Sequence, residues 1–371
     1  MVDQYGGRMT ATLEQIVALP KVLLHDHLDG GVRAATVVDL AAEAGHTLPT
    51  TDADALAGWF HAQAGSGSLE AYLATFAHTA GVMQTADALR RVAREAVLDL
   101  AADGVVYAEE RFAPELHQAR GLSLQQAVDA VRAGLAEGES EAAAQGRTIR
   151  TGLLLCAMRN SDRADEVAAL ALANRDRGVV GFDVAGPEAG YPASAMGAAF
   201  AQLRTARFPV TVHAGEAAGR DSLDGAVDVG ALRLGHGIRL LDDIRPDDEG
   251  GFRLGRLAHW VRDRRIALEV CPTSNVQTGG AASYAEHPVT TLLRLGFAVT
   301  VNTDNRLQSR TSLSRELHLL VTEAGWTPDD LRAVTVTAAR HAFLHEDERT
   351  DLVDRVILPG HAPTAPGRHR A

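Results

Sequence analysis

Lys21-Val22-Leu23-Leu24-His25-Asp26-His27-Leu28-Asp29-Gly30 is the stretch that decides how this chain folds. Residues 22–28 read as a short, nearly continuous apolar strand, the pattern of a strand buried on both faces. Residues i and i+2 of a strand point to the same side, so His25 and His27 leave its end together. Two neighbouring neutral imidazoles suit a divalent transition metal. An open doubly wound sheet would normally follow its first strand with a glycine-rich phosphate turn. Histidines stand there instead, and that favours a barrel.

Similar runs recur outward from it, at 105–112, 149–158, 179–185, 209–213, 232–238, 266–271 and 297–302. Amphipathic, alanine-rich segments lie between them, at 86–102, 124–144, 165–177, 195–206 and 288–295. Strand and helix in alternation imply parallel βαβ units, and eight of them imply an α/β fold of the (β/α)8 TIM-barrel type. One connection is long. Residues 31–104 form a helical insertion after the first strand, with helices expected at 34–44 and 69–79 and with Trp59, Phe60, Tyr72 and Phe76 inside it. It reads either as a lid over the barrel mouth or as a helical layer on the barrel side. One barrel domain over 11–358 is expected, with 1–10 and 359–371 as loose tails.

The chain has 371 residues, 46% hydrophobic and 23% charged, the balance of a soluble globular enzyme. A net charge of −12 argues against nucleic acid or an anionic membrane as partner. No apolar run approaches the ~20 residues of a membrane span. Residues 1–12 carry no basic-then-apolar signal pattern, and cytoplasm is the expected location. Cys156 and Cys271 are isolated within apolar runs, which suggests neither a disulfide framework nor a thiolate metal site. The oligomeric state is left open.

In a (β/α)8 barrel the active site lies at the C-terminal strand ends, and the unusual polar residues fall there. Beyond His25 and His27 they are Asp183 in the fourth strand, His213-Ala214-Gly215-Glu216 after the fifth and Gly235-His236-Gly237 after the sixth. Cys271-Pro272-Thr273-Ser274-Asn275 follows the seventh, and Asn302-Thr303-Asp304-Asn305 the eighth. Singly, His213 fits a hydrogen-bonded core histidine and Asp304 a helix cap. As a set at one rim, they fit a metal centre. Three histidines and Asp304 offer a nitrogen-rich, charge-reducing ligand set for zinc with a position left for water. His236 is then a spare imidazole to act as base, and Glu216 a spare acid, which amounts to metal-assisted hydrolysis. The zincin helix, the phosphate loop, the serine elbow and the cytidine-type zinc signature are all missing.

These motifs, in this order from about Leu19 to Leu344, resemble those of the adenosine/adenine deaminase family of barrel amidohydrolases. The resemblance implies one Zn2+ per subunit bound by His25, His27, His213 and Asp304, with Glu216 protonating the purine and His236 as catalytic base. It implies substrate contacts from Asp29 at the sugar, from the Gly186 backbone at purine N3, from Asn305 at N7 and from His27. The implied reaction is attack of zinc-activated hydroxide at purine C6, releasing ammonia. Two residues depart from the family pattern, Asn305 for an aspartate and Pro187 for an acid. An asparagine amide can donate directly to a ring nitrogen. Asp29, where adenine-specific relatives tend to carry glutamate, favours a purine nucleoside over the free base. Adenine, aminodeoxyfutalosine and 5′-modified adenosines are the alternative substrates, and a non-deaminating barrel hydrolase or a silent nucleoside-binding protein the alternative classes.

Overall fold

Strand β1, Lys21–His27, is buried except at its last residue, as its apolar run requires. Parallel to it, in order, lie β2 (Val105–Phe112), β3 (Arg150–Met158) and β4 (Val179–Ala185). A second parallel sheet orders β5 (Thr211–Ala214), β6 (Arg233–His236), β7 (Ala267–Val270) and β8 (Val299–Val301). The computed structural model describes residues 11–362. The two sheets meet at two seams, each carrying an isolated parallel bridge, Phe182 with Val210 and Asp26 with Asp304. At the second seam the His27 N–H donates to the Asp304 carbonyl at 2.7 Å, and the Asp304 N–H to that of His25 at 3.0 Å. The result is a (β/α)8 barrel with hydrogen-bond ladders in two halves and single bridges between them. The β1–β8 seam brings the first two histidines against Asp304.

Helices Ala86–Ala102 and Leu124–Ala144 begin and end where the sequence pattern predicts. Both have a side-chain N-cap, Thr85 in the first and the Ser123/Gln126 capping box in the second. Other boundaries differ. Segment 165–177 is an α-helix over Ala164–Ala173 followed by a 3-10 turn over Arg175–Arg177, segment 69–79 breaks into Leu69–Ala74 and Phe76–Val82, and β6 to β8 are shorter than their apolar runs. The strand ends shorten because the chain leaves the ladder to turn into the mouth. His236 and Gly237 have φ of 61° and 70°, and Asp304 has φ of 59°.

The two halves of the insertion lie in different places. Ala34–Ala44 and Ala53–Ala64 bury Val37, Leu40, Leu56 and Phe60 in the main hydrophobic core. Leu69–Ala74 and Phe76–Val82 put Leu69, Tyr72, Leu73 and Phe76 over the barrel mouth. The expected tail 1–10 and residues 363–371 of the other lie outside the described residues. Residue 359 falls inside the helical turn Leu358–Gly360, after which His361 Nε2 lies 3.0 Å from the Pro20 carbonyl. Among the described residues no helix is long and apolar enough to cross a membrane.

Candidate active site

A cavity of ≈ 340 Å³ opens at the C-terminal ends of the strands, a volume suited to a small organic ligand. His27, Asp29, Gly186, His213, Glu216, His236, Asp304 and Asn305 line it, and His25 lies beneath them, fully buried. The fold thus brings the nine residues to which the resemblance gives a role to one place.

Asp304 Oδ1 lies 3.4 Å from both His25 Nε2 and His27 Nε2, and His27 Nε2 lies 3.1 Å from His213 Nε2. Ligand atoms bonded at about 2.0–2.1 Å around one tetrahedral ion are spaced about 3.3–3.4 Å apart. His25 Nε2 is buried without a hydrogen-bond partner, an orphan that a metal ion would satisfy. The donor set therefore fits a metal. His236 stands close as well, since one ligand atom from each of His25, His213, His236 and Asp304 falls within a 4.8 Å group. Its second nitrogen is not held by a carboxylate: the Asn275 amide lies 3.0 Å from His236 Nδ1.

The far nitrogens of two histidines face acids. Glu269 Oε2 is 3.0 Å from His25 Nδ1, and Asp183 Oδ2 is 2.8 Å from His213 Nδ1. A carboxylate there keeps the proton on Nδ1 and leaves Nε2 free to bind a metal. Arg111, fully buried, bridges both acids at 2.6 Å to Asp183 and 2.9 Å to Glu269. Arg233 joins Glu269 to Glu109 one layer below. Three carboxylates against two guanidinium groups leave the barrel floor net negative, which favours a cation above it. Burial alone would push the acids up. Arg111 with Arg233 holds Glu269 low, and His213 with Arg111 holds Asp183 low.

The acid and the base are tuned in opposite directions. Burial, then the charges of Asp304 and Glu188, push Glu216 well above the usual carboxyl range, toward its protonated form. Burial depresses His236 and keeps its ring neutral. Burial likewise pushes Asp29 up, to about 7, against the lowering effect of hydrogen bonds from backbone N–H groups of Asp29 and Gly30. His236 and Asp304 are non-glycine residues at positive φ, each costing about 1–3 kcal/mol of strain that the fold offsets elsewhere.

Asp26 points away from the cavity, accepting from Thr303 Oγ1 at 2.5 Å and from Arg306 Nε at 2.9 Å. Gly30 is required beside Asn305, because a Cβ on it would meet Asn305 Oδ1 at 1.9 Å. Pro187 lines the cavity, and an acid follows it at Glu188. Arg111 and Glu269 went unassigned in the sequence, as did the roles of Asp183, Asn275 and Glu188. The available signal was a charge inside a buried strand, as in Ala267-Leu268-Glu269-Val270, since such a charge needs a partner.

With the geometry established, comparison with known proteins is direct. The family model described as adenosine deaminase matches residues 20–359. Over 355 residues the chain is 55% identical to Adenosine deaminase 1 of Streptomyces coelicolor, covering 95% of this chain and 90% of the relative. A Burkholderia ambifaria amidohydrolase solved with bound Zn has a TM-score of 0.83 at 25% identity, covering 96% of this chain and 95% of that one. Arabidopsis ADAL, solved in complex with GMP, has a TM-score of 0.79 at 26% identity, covering 94% of this chain and 99% of that one. By its matched length, its identity to a curated relative and its fold, the chain belongs to the adenosine deaminase family.

Proposed function

We propose that the protein converts adenosine and 2′-deoxyadenosine, with water, to inosine and deoxyinosine plus ammonia, with one Zn2+ per chain held by His25, His27, His213 and Asp304. The ion, when bound, supplies a Lewis acid that lowers the pKa of water in the site from ~15.7 to about 7. His236 takes a proton from the water that attacks purine C6. The Asn275 NH2 group lies against His236 Nδ1; with that amide turned over, its oxygen accepts from Nδ1–H and leaves Nε2 free for this. Glu216 gives its proton to N1, which the ring requires once C6 becomes tetrahedral. The C6–O bond forms, His236 passes the proton it took to the C6 amino group, the C6–N bond breaks to release ammonia, and the remaining hydroxyl proton returns to Glu216, leaving the 6-oxo purine. Asp29 accepts from a ribose hydroxyl, the Gly186 N–H donates to N3 and the Asn305 amide to N7, while His27 borders the reacting edge.

The observation that carries this reading is that Glu216, its carboxyl pushed up by burial, and His236, its ring pushed down by burial, open with the imidazole–carboxylate cluster into one largely apolar cavity. No Lys or Arg is among the described residues lining it, so a nucleotide phosphate would lack a counter-charge there. That favours a nucleoside over a nucleotide such as the one bound in the Arabidopsis neighbour. The test is an ultraviolet assay of the purified, metal-analysed protein on adenosine, deoxyadenosine, adenine, AMP and 5′-modified adenosines. Loss of the adenine band with the nucleosides is the expected result. No change with any nucleoside overturns the reading.

A further inference from the structure

Glu188 has no part in the reaction as drawn, yet its buried carboxylate is heavily hydrogen-bonded. Its carboxylate accepts from the backbone N–H of Gly215 at 2.6 Å, Glu216 at 3.1 Å, Ala217 at 2.7 Å and Ala218 at 2.8 Å, and from the Ser222 hydroxyl. Four consecutive amides turned to one side form an anion-binding nest, here filled by the protein's own carboxylate. Gly215, at φ 69°, supplies the left-handed turn that aims them inward. Glu188 is only 5% exposed, and the clasped segment is the one that carries Glu216. The Glu216 carboxyl lies 3.6 Å from His236 Nε2, and where it sits follows from the backbone that carries it.

We propose that Glu188 is a positioning residue for the deamination: by clasping residues 215–218 it fixes the Glu216 carboxyl at the height of purine N1. The inference rests on Glu216 being the proton donor. Gly186, whose backbone faces purine N3 in that reading, is two residues away across Pro187. One short segment of restricted backbone therefore gauges both the purine and its acid.

The decisive variant is Glu188→Gln, which keeps the shape of the side chain but turns an NH2 group against backbone donors. Its kcat should fall about 10- to 100-fold, as misplacement of a reacting group by a fraction of an ångström to an ångström does. KM should stay within about threefold, and the metal content per chain should match the parent. In a Glu216→Gln background the same substitution should change kcat by less than about twofold, because the group it aims is already gone. Equal fold losses in both backgrounds, or a Glu188→Gln protein with parental kcat, overturn the proposal. Ser222→Ala removes one donor without touching residues 215–218, and it decides the same comparison if Glu188→Gln fails to fold. Full activity of Glu216→Gln alone would instead overturn the assignment of the proton donor.

Discussion

The floor and the roof of the cavity are built from opposite materials. Beneath the imidazoles lie Arg111, Asp183, Glu269, Arg233 and Glu109, all essentially inaccessible to water and tied to one another by charge-assisted bonds. Above them lie Leu69, Tyr72, Leu73 and Phe76, which meet the cavity mainly through apolar surface. The floor holds directions: each bond fixes a ring nitrogen or a backbone strand, and buried charges tolerate little displacement. The roof holds volume. Apolar contact is non-directional, so it excludes water and accepts a flat ring without setting the positions of the reacting atoms.

That contrast predicts a graded series of damage. Between floor and roof, where the chemistry takes place, Glu216→Gln should lose about 10²- to 10⁴-fold in kcat while retaining its metal, checked by steady-state assay and metal analysis. Because Glu216 must be protonated to act and is held well above the ordinary carboxyl range, kcat/KM of the parent should fall on the alkaline side, as pH rises through that raised pKa. An activity that falls only toward acid pH contradicts the assignment. Next, Arg111→Met leaves Asp183 and Glu269 buried without their shared cation and should cost about 3–5 kcal/mol in urea unfolding of the metal-free protein. Glu269→Gln weakens the hold on His25 and should reduce metal affinity about 10- to 100-fold in a chelator competition. Phe76→Ala, in the roof, should remove ~1 kcal/mol of apolar contact and raise KM about fivefold with kcat little changed. A roof variant that loses metal, or a floor variant that changes only KM, would break the division.

Much of the site was legible before any fold was known, and the reason is local. Period-2 geometry aims His25 and His27 together, and His213, His236 and Asp304 are polar residues that close apolar runs, where nothing but function or pairing explains them. The boundaries of Ala86–Ala102 and Leu124–Ala144 were legible for the same reason, since caps and helical period lie within a few residues of each other. The break at Thr75 was not, because Leu69–Ala74 and Phe76–Val82 share one continuous apolar pattern and divide only where they bend over the mouth. The same period-2 rule turns Asp26 to the face opposite His25 and His27, but its partners Thr303 and Arg306 come from the far end of the chain.

The sequence by itself determined which residue types stand at the strand ends, and hence the chemistry they offer, because strand period and apolar burial are short-range properties. Only the tertiary structure decided which acid serves which histidine, that Arg111 ties Asp183 to Glu269, and that Glu188 clasps the loop carrying Glu216. Those pairings join strands far apart in the chain, and closing the barrel is what turns separate strand ends into neighbours about 3 Å apart.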